Sequence, residues 1–455
     1  MTDGQNEQNE QGGKGDINAH PTKAFFVDML VRDIPLEQAI LDLVDNCIDG
    51  AKRIAQIQPS SIPYGGRKVE IEFNKDFFKI VDNCGGFSTQ IARDYAFRFG
   101  RPKEAGRTSH SIGQFGVGMK RALFKFGKEF TVQSATVDEE WAINVDVPEW
   151  EADESTWTFP WVAFNSQQIS RAEPGTEIVV SSLRSEVSSR FSTSIFVNSI
   201  IGLIKSKHRQ FISEGLEVVV NGVRIDATNI YLLMTEKLQP GKDTLEFNID
   251  GATVFANIIV GVGQSAPREA GWYVICNGRV ILEADRRAVT GWGLLEEEAG
   301  RALIPAFHNQ FARFRGIVSF DSEDSSKVPW NTTKTDVDLD SIVWVKTFQR
   351  MLEMMRPVID FLNELDNDID EFTRDKSPLL DHVSKASITR PESITAKSDF
   401  VAPVRGSIVK GPRYVKIQYS RKIDDVEFLQ DILGVGSAKA VGETSFDMIL
   451  KRHKE

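Results

Sequence analysis

Cysteine and histidine are scarce in this sequence. Cys47, Cys84 and Cys276 are the 3 cysteines of a 455-residue chain. They are odd in number, far apart and free of C-x-x-C spacing, which speaks against a zinc site or a dithiol redox centre. The 6 histidines are equally scattered, so a histidine or cysteine nucleophile is not expected. Long apolar runs are missing too. No stretch of eighteen apolar residues offers a membrane span, and the N-terminus has no basic-then-apolar leader pattern, so the expectation is a cytoplasmic protein with no membrane segment. Positive charge is in deficit: a net charge of −11 argues against a chain that coats nucleic acid uniformly, while leaving local basic patches free to bind it.

What is present is a globular composition, 41% hydrophobic and 26% charged, with room for about three domains. Residues 1–22, rich in Gly, Gln, Asn and acid, have almost nothing to bury and are expected to be disordered. The boundaries that follow from composition and pattern are a folded unit at 23–190, a second at 191–349, a helix at 350–372, a linker at 373–402 and a small C-terminal unit at 403–455.

The most informative stretch is Leu36 to Arg53, LEQAILDLVDNCIDGAKR. Pro35 suits a helix start, since its fixed φ is already helical. Leu36, Ile40, Leu43 and Cys47 recur at helical spacing and make an apolar face. Asp42, Asn46, Asp49 and Arg53 recur on another side. A solvated helix face accounts for such a stripe, and so does a pocket wall. Leu43, Val44, Ile48 and Ala51 flank the stripe with apolar groups, which favours the pocket.

A hairpin follows, Val69 to Phe73 and Phe77 to Val81, ending in Asp82-Asn83-Cys84-Gly85-Gly86-Phe87. A strand running into an acid and a glycine pair marks either a plain turn or a close approach of backbone to another group. Thr89 to Ser111 mixes basic residues with Gly, Ser and Thr and reads as a lid. It leads to Ile112-Gly113-Gln114-Phe115-Gly116-Val117-Gly118-Met119-Lys120-Arg121 and a helix. Glycines 113, 116 and 118, opening that helix, allow backbone N–H groups to converge on an anion. The spacing is not that of a Walker A loop, and no Ser or Thr follows Lys120. Nor is it a dinucleotide fingerprint, whose glycine spacing is reversed. Strand-like runs at 129–134, 141–147, 156–164 and 175–180 complete the expectation of an α+β sandwich with helices on one sheet face.

Four segments in this order, LDLVDNCIDGA, VDNCGGFS, IGQFGVGMKRALFKFG and PGTEIVV, resemble the GHKL ATPase superfamily: gyrase B, the ninety-kilodalton heat-shock chaperone, histidine kinases and MutL. Within it the chain is most similar to MORC-type ATPases. The resemblance implies a GHKL (Bergerat) ATP-binding sandwich followed by a transducer-like α+β domain. It implies ATP and Mg²⁺ as ligands, with Asn46 coordinating the metal and Asp49 and Arg53 beside the nucleotide. Asp82 would accept the adenine amino group, helped by Thr176 through water. Gly86 would let the base lie close; Gly113, Gly116 and Gly118 would wrap the phosphates; and Lys120 would add a phosphate contact.

The chain departs from that pattern twice. The general base, four positions before the metal-binding Asn, is usually Glu in the family, and here it is Asp42. Its carboxylate is one methylene shorter, and proton transfer is sensitive to such a shift, so slow hydrolysis is expected. Cys84 stands where the adenine-side motif usually has its first glycine.

Further on, Asn221-Gly222 and Asn277-Gly278 are hairpin turn signals among strand-like runs. Lys334, in a polar loop after the run RGIVSF, resembles the family's γ-phosphate lysine, with Lys327 in reserve. Such a lysine binds only a third phosphate and so makes the domains a switch. The methionines between Val343 and Phe372 read as core. Near the C-terminus Arg405, Lys410, Arg413, Lys416, Arg421 and Lys422, interleaved with Tyr414 and Tyr419, suit either nucleic-acid contact or a basic strand of an interaction domain. Together the resemblance implies an ATP-dependent homodimer that engages DNA or a protein partner, with a chaperone-like ATPase or a non-hydrolysing ATP sensor as alternatives.

Overall fold

The computed structural model describes residues 22–98, 109–113, 118–162, 173–295, 302–372, 377–404 and 417–454. Two sheets organise these residues, each covered by helices, in the mixed α+β arrangement expected.

The first sheet has seven strands: β1 (Lys68–Phe73), β2 (Phe78–Asp82), β3 (Gly127–Ala135), β4 (Glu140–Asp146), β5 (Gly175–Leu183), β6 (Glu217–Val220) and β7 (Val223–Arg224), in the order β4-β3-β5-β2-β1-β6-β7. β1 and β2 form the expected hairpin, with Val69 opposite Asp82. Alternation along β1 buries Val69, Ile71 and Phe73, as a sheet with one face on a core requires. The helices α1 (Lys23–Arg32), α2 (Leu36–Ile57), α3 (Thr89–Ile91), α4 (Gly118–Phe126), α5 (Val147–Ala152), α6 (Ser185–Phe191), α7 (Ser194–Lys207) and α8 (Arg209–Ser213) belong to this half of the chain. Ile40, Leu43, Val44 and Ile48 of α2 share one apolar core with Ile71, Phe78, Ile80, Val132 and Ile178 of the strands.

Two segments differ from expectation. Residues 156–164 do not form a strand in the described part; the trace is a single bridge between Ile143 and Trp161. The chain leaves β4 into α5 instead, because Asp146 caps Glu149 N at 2.9 Å and Pro148 fits the first turn. The Asn221-Gly222 hairpin, expected in the second unit, completes the first sheet: β6 pairs with β1 in parallel. Asn221 reinforces that edge, accepting from Phe73 N at 2.9 Å and donating to Phe73 O at 3.1 Å. The sheet therefore draws on residues beyond 190.

The second half carries β8 (Leu232–Met234), β9 (Gly241–Ile249), β10 (Ala252–Val262), β11 (Gly271–Cys276), β12 (Arg279–Asp285), β13 (Leu294–Leu295), β14 (Ala302–Ile304) and β15 (Phe314–Ser322). Five of these form a sheet ordered β12-β11-β15-β10-β9. The long helix α9 (Ile342–Phe372) packs on it, burying Met351, Met354 and Met355 as core. Residues 377–402, expected as linker, are ordered along this half. α10 (Pro378–Ser384) buries Leu379 and Val383, β16 (Ser387–Thr389) pairs with β8, and Ser398 bridges to Lys242. Their apolar side chains and free backbone groups find partners, which composition alone does not reveal. α11 (Ile423–Leu433) and α12 (Ala438–His453) close the chain, joined at Gly434 in the left-handed region. Most of the C-terminal basic stretch, from Arg405 to Lys416, and residues 1–21 lie outside the described residues.

Among the described residues no single helix is long and apolar enough to cross a membrane.

Candidate functional site

The polar stripe of α2 is walled in as the apolar flanks required. From Leu36 to Lys52 every residue is buried or half-buried except Asn46. Asn46 is therefore the one exposed residue of this part of α2, which is otherwise covered as far as Lys52. The root of the glycine-rich segment lies across the same stripe. Asp49 accepts hydrogen bonds from Ile112 N at 2.7 Å and Gly113 N at 2.8 Å. A Cβ on Gly113 would stand 3.1 Å from Asp49 Oδ2 and 3.5 Å from Asn46 Oδ1, and one on Gly118 would stand 3.2 Å from Asp42 Oδ2. Both ends of the loop thus meet the stripe, Gly113 at Asn46 and Asp49, Gly118 at Asp42. Gly116, between them, lies outside the described residues. Burial raises the pKa of Asp49 above the usual carboxylate value, against the opposing pull of Lys52 and the two amides.

The second half closes the other side. Lys334 Nζ donates to Asp45 Oδ2 at 2.8 Å and to Asp42 Oδ1 at 3.3 Å. Gln38 Nε2 also donates to Asp42, at 2.9 Å. Lys334 is held out of the ordinary backbone region, at φ +55, in a loop cross-linked by Asn331, whose carbonyl accepts from Lys334 N and whose Oδ1 accepts from Thr335 N. Burial works to lower the pKa of Lys334, but the Asp45 and Asp42 carboxylates outweigh it and hold the ammonium protonated. Lys327 is engaged elsewhere, donating to Asp250 at 2.6 Å, so Lys334 is the lysine that reaches α2.

Behind this stands an ionic cluster that sequence reasoning missed. Asp45 is fully buried and paired with Arg279, itself fully buried, and with His208 Nε2 at 2.8 Å. Burial alone would raise the Asp45 pKa, but Arg279, Lys334 and His208 hold it well below the usual range. The neighbouring His208 is pushed down by burial. Arg279 Nε and Nη2 and His208 Nδ1 are buried without a protein partner. The available signal was Arg279, a lone cation inside the apolar run WYVICNGRVI; nothing marked His208.

The residues expected on the adenine side, Asp82, Gly86 and Thr176, assemble at the end of the first hairpin. Asp82 is buried and accepts from Cys84 N at 2.7 Å. Burial, then the Asp82 carboxylate, push the Cys47 thiol well above its ordinary value. Thr176 Oγ1 lies 3.1 Å from Ser134 Oγ, which also accepts from Phe87 N at 3.0 Å. At Gly86, φ +60, a Cβ would stand 2.2 Å from Ala135 O, so the glycine is needed by the protein's own β3. Cys84 does not line the opening: it is 2% exposed and its backbone packs on Gly50 of α2, where a Cβ would meet Cys84 O at 2.5 Å. Arg53 is exposed at the end of the stripe; burial, then the Asp82 carboxylate, push the Cys84 thiol well above its ordinary value against the weaker opposing pull of Arg67 and Arg53.

Lys120 is buried, and its amine donates to Ala96 O at 2.8 Å and Arg98 O at 2.6 Å. Burial pulls its pKa down to about 8.

The residues present suit a nucleotide with a hard cation. Mg²⁺ takes oxygen donors and is commonly held by one or two protein groups together with substrate phosphates; the amide oxygen of Asn46, an exposed residue whose Oδ1 lies beside Gly113, is such a donor. Among the described residues no cluster of three or more His, Cys, Asp or Glu is placed to bind a metal unaided.

Residues 34–176 match the family model described as Histidine kinase-, DNA gyrase B-, and HSP90-like ATPase. This match supports a GHKL-type ATPase domain over that span, with ATP binding and the hydrolytic activity that family carries in general. No curated protein matches the chain.

Proposed function

We propose that this chain is an ATP-dependent conformational switch of the GHKL kind, most similar to MORC-type ATPases, that binds Mg²⁺-ATP and hydrolyses it slowly. The supporting observation is Lys334 resting on Asp42 and Asp45, a cation from the second half set against the nucleotide helix of the first.

In this reading Asn46 holds Mg²⁺, whose bound charge neutralises the phosphates during water attack. Asp49 fixes the N-terminal root of the loop so that the backbone at Gly113, Gly116 and Gly118 faces the phosphates. Asp82 accepts from adenine, aided by Thr176, and Gly86 keeps β3 close enough to shape that end. Asp42 takes the proton from water. Lys334 leaves the carboxylates for the third phosphate, which changes the angle between the halves and favours a homodimer. Engagement of DNA or a protein partner is assigned to the C-terminal basic stretch.

A second reading, an ATP sensor that does not hydrolyse, is favoured by the two donors on Asp42, Gln38 and Lys334, which oppose its use as a base. Steady-state phosphate release separates the two. A wild-type rate abolished in Asp42→Asn supports the enzyme; equal rates in both remove Asp42 from the mechanism.

A further inference from the structure

One tight turn of the second half delivers two buried side chains to the nucleotide site. Asn277 and Gly278, at φ +47 and φ +85, join β11 to β12 as a two-residue hairpin loop. Gly278 has no room for a side chain, since a Cβ would stand 2.7 Å from the Phe211 ring. Asn277, however, is more than a turn former. Its Oδ1 accepts from Ser322 N at 2.9 Å within its own sheet, while its Nδ2 donates to Ser111 O at 3.1 Å across the junction. Its carbonyl accepts from Lys52 of α2 at 2.8 Å. Ser111 is the residue before Ile112 and Gly113, the two whose amides bond Asp49. His110 N, bonded to Glu323 O at 3.3 Å, and Ser111 Oγ, 3.3 Å from Ser325 Oγ, continue the strap along the end of β15. Two residues past Asn277, Arg279 pairs with Asp45.

The root of the glycine loop is therefore held from two sides: Asp49 below, Asn277 from the second sheet. An open groove of about 280 Å³, lined by Lys52, Tyr64, His110, Gln210, Asn277 and Asp321, borders the turn.

We propose that Asn277 is a positioning residue for phosphate binding: through its bond to Ser111 it makes the placement of Ile112 and Gly113 depend on where the second sheet sits. The idea rests on the nucleotide reading above. It differs from the Lys334 contact in acting on the loop from behind, whether or not a third phosphate is bound.

Asn277→Asp in the full chain is the direct test. It keeps an acceptor for Ser322 N and removes the donor to Ser111 O. Asn277→Gly, which accepts the positive φ, is the second variant. Both should bind a non-hydrolysable ATP analogue about tenfold more weakly, about 1.4 kcal/mol, while adenosine, which makes no phosphate contact, binds as in the wild type. Hydrogen exchange at the Ile112 and Gly113 amides should accelerate without nucleotide, a readout independent of ATP. Wild-type exchange at both amides, or equal loss of analogue and adenosine affinity, overturns the proposal. Wild-type analogue affinity in Asn46→Ala instead overturns the nucleotide reading, leaving the exchange result to decide the strap.

Discussion

Lys334 Nζ lies 2.8 Å from Asp45 Oδ2 and 3.3 Å from Asp42 Oδ1, joining residues 289 and 292 positions apart in one buried ionic group. In the proposed switch the lysine has a carboxylate refuge when no phosphate is present, and Asp45 would keep Arg279 and His208 when the lysine leaves. Movement of Lys334 therefore leaves no isolated buried charge. Lys334→Met should remove discrimination between nucleotides: the wild type is expected to bind an ATP analogue at least tenfold more tightly than ADP, and the variant to bind both alike. Parallel calorimetric titrations check this.

Arg279 belongs to the support of the site. Arg279→Met leaves Asp45 with Lys334 and His208 alone, and breaking a buried pair from one side costs about 3–5 kcal/mol. A large fall in the urea midpoint is expected, and Asp45→Asn combined with Arg279→Met should recover part of it, because the buried carboxylate that lost its guanidinium is then no longer charged.

Much of this was legible beforehand. The stripe Asp42, Asn46, Asp49 on a helix with apolar flanks reads directly from spacing, and the structure places Gly113 and Gly118 against it. The hairpin before Asp82 was equally clear. What sequence hid was pairing between distant segments: β6 beside β1, Asp45 with Arg279, Asn277 with Ser111. An Asn-Gly dipeptide announces a turn through its backbone preference, and nothing local tells where the asparagine side chain will point. Residues 377–402 misled because Ser, Thr, Lys and Pro describe a linker by composition, whereas their order comes from bonding to the edge of another sheet.

Asp42 decides between enzyme and sensor. Removing a general base lowers rates by about 10²–10⁴-fold, so Asp42→Asn should reduce phosphate release to that extent while binding an ATP analogue as tightly as the wild type. Asp42→Glu, restoring the methylene, should release phosphate faster than the wild type. No gain with Glu would mean that reach is not what limits the reaction.

Lys120 carries a pH signature. Its amine is held to about pKa 8 in the folded protein, against an ordinary 10.5. The unfolded chain thus binds more protons between these values, so this group makes stability rise as pH climbs from about 8 to 10.5, by up to about 3 kcal/mol. Lys207, lowered to about 8 mainly by burial, acts in the same window. Urea melts across that range should show a shallower rise in Lys120→Met than in the wild type; identical slopes would show that Lys120 titrates normally.

The central claim is that Asn46, exposed within the otherwise covered stretch of α2 from Leu36 to Lys52, holds the metal of a bound nucleotide through its amide oxygen. Titration of the full chain with a non-hydrolysable ATP analogue, with and without Mg²⁺, tests it most directly. The account predicts tight, Mg²⁺-dependent binding in the wild type and its loss in Asn46→Ala. Equal affinity in the two proteins, or wild-type binding indifferent to Mg²⁺, would contradict it.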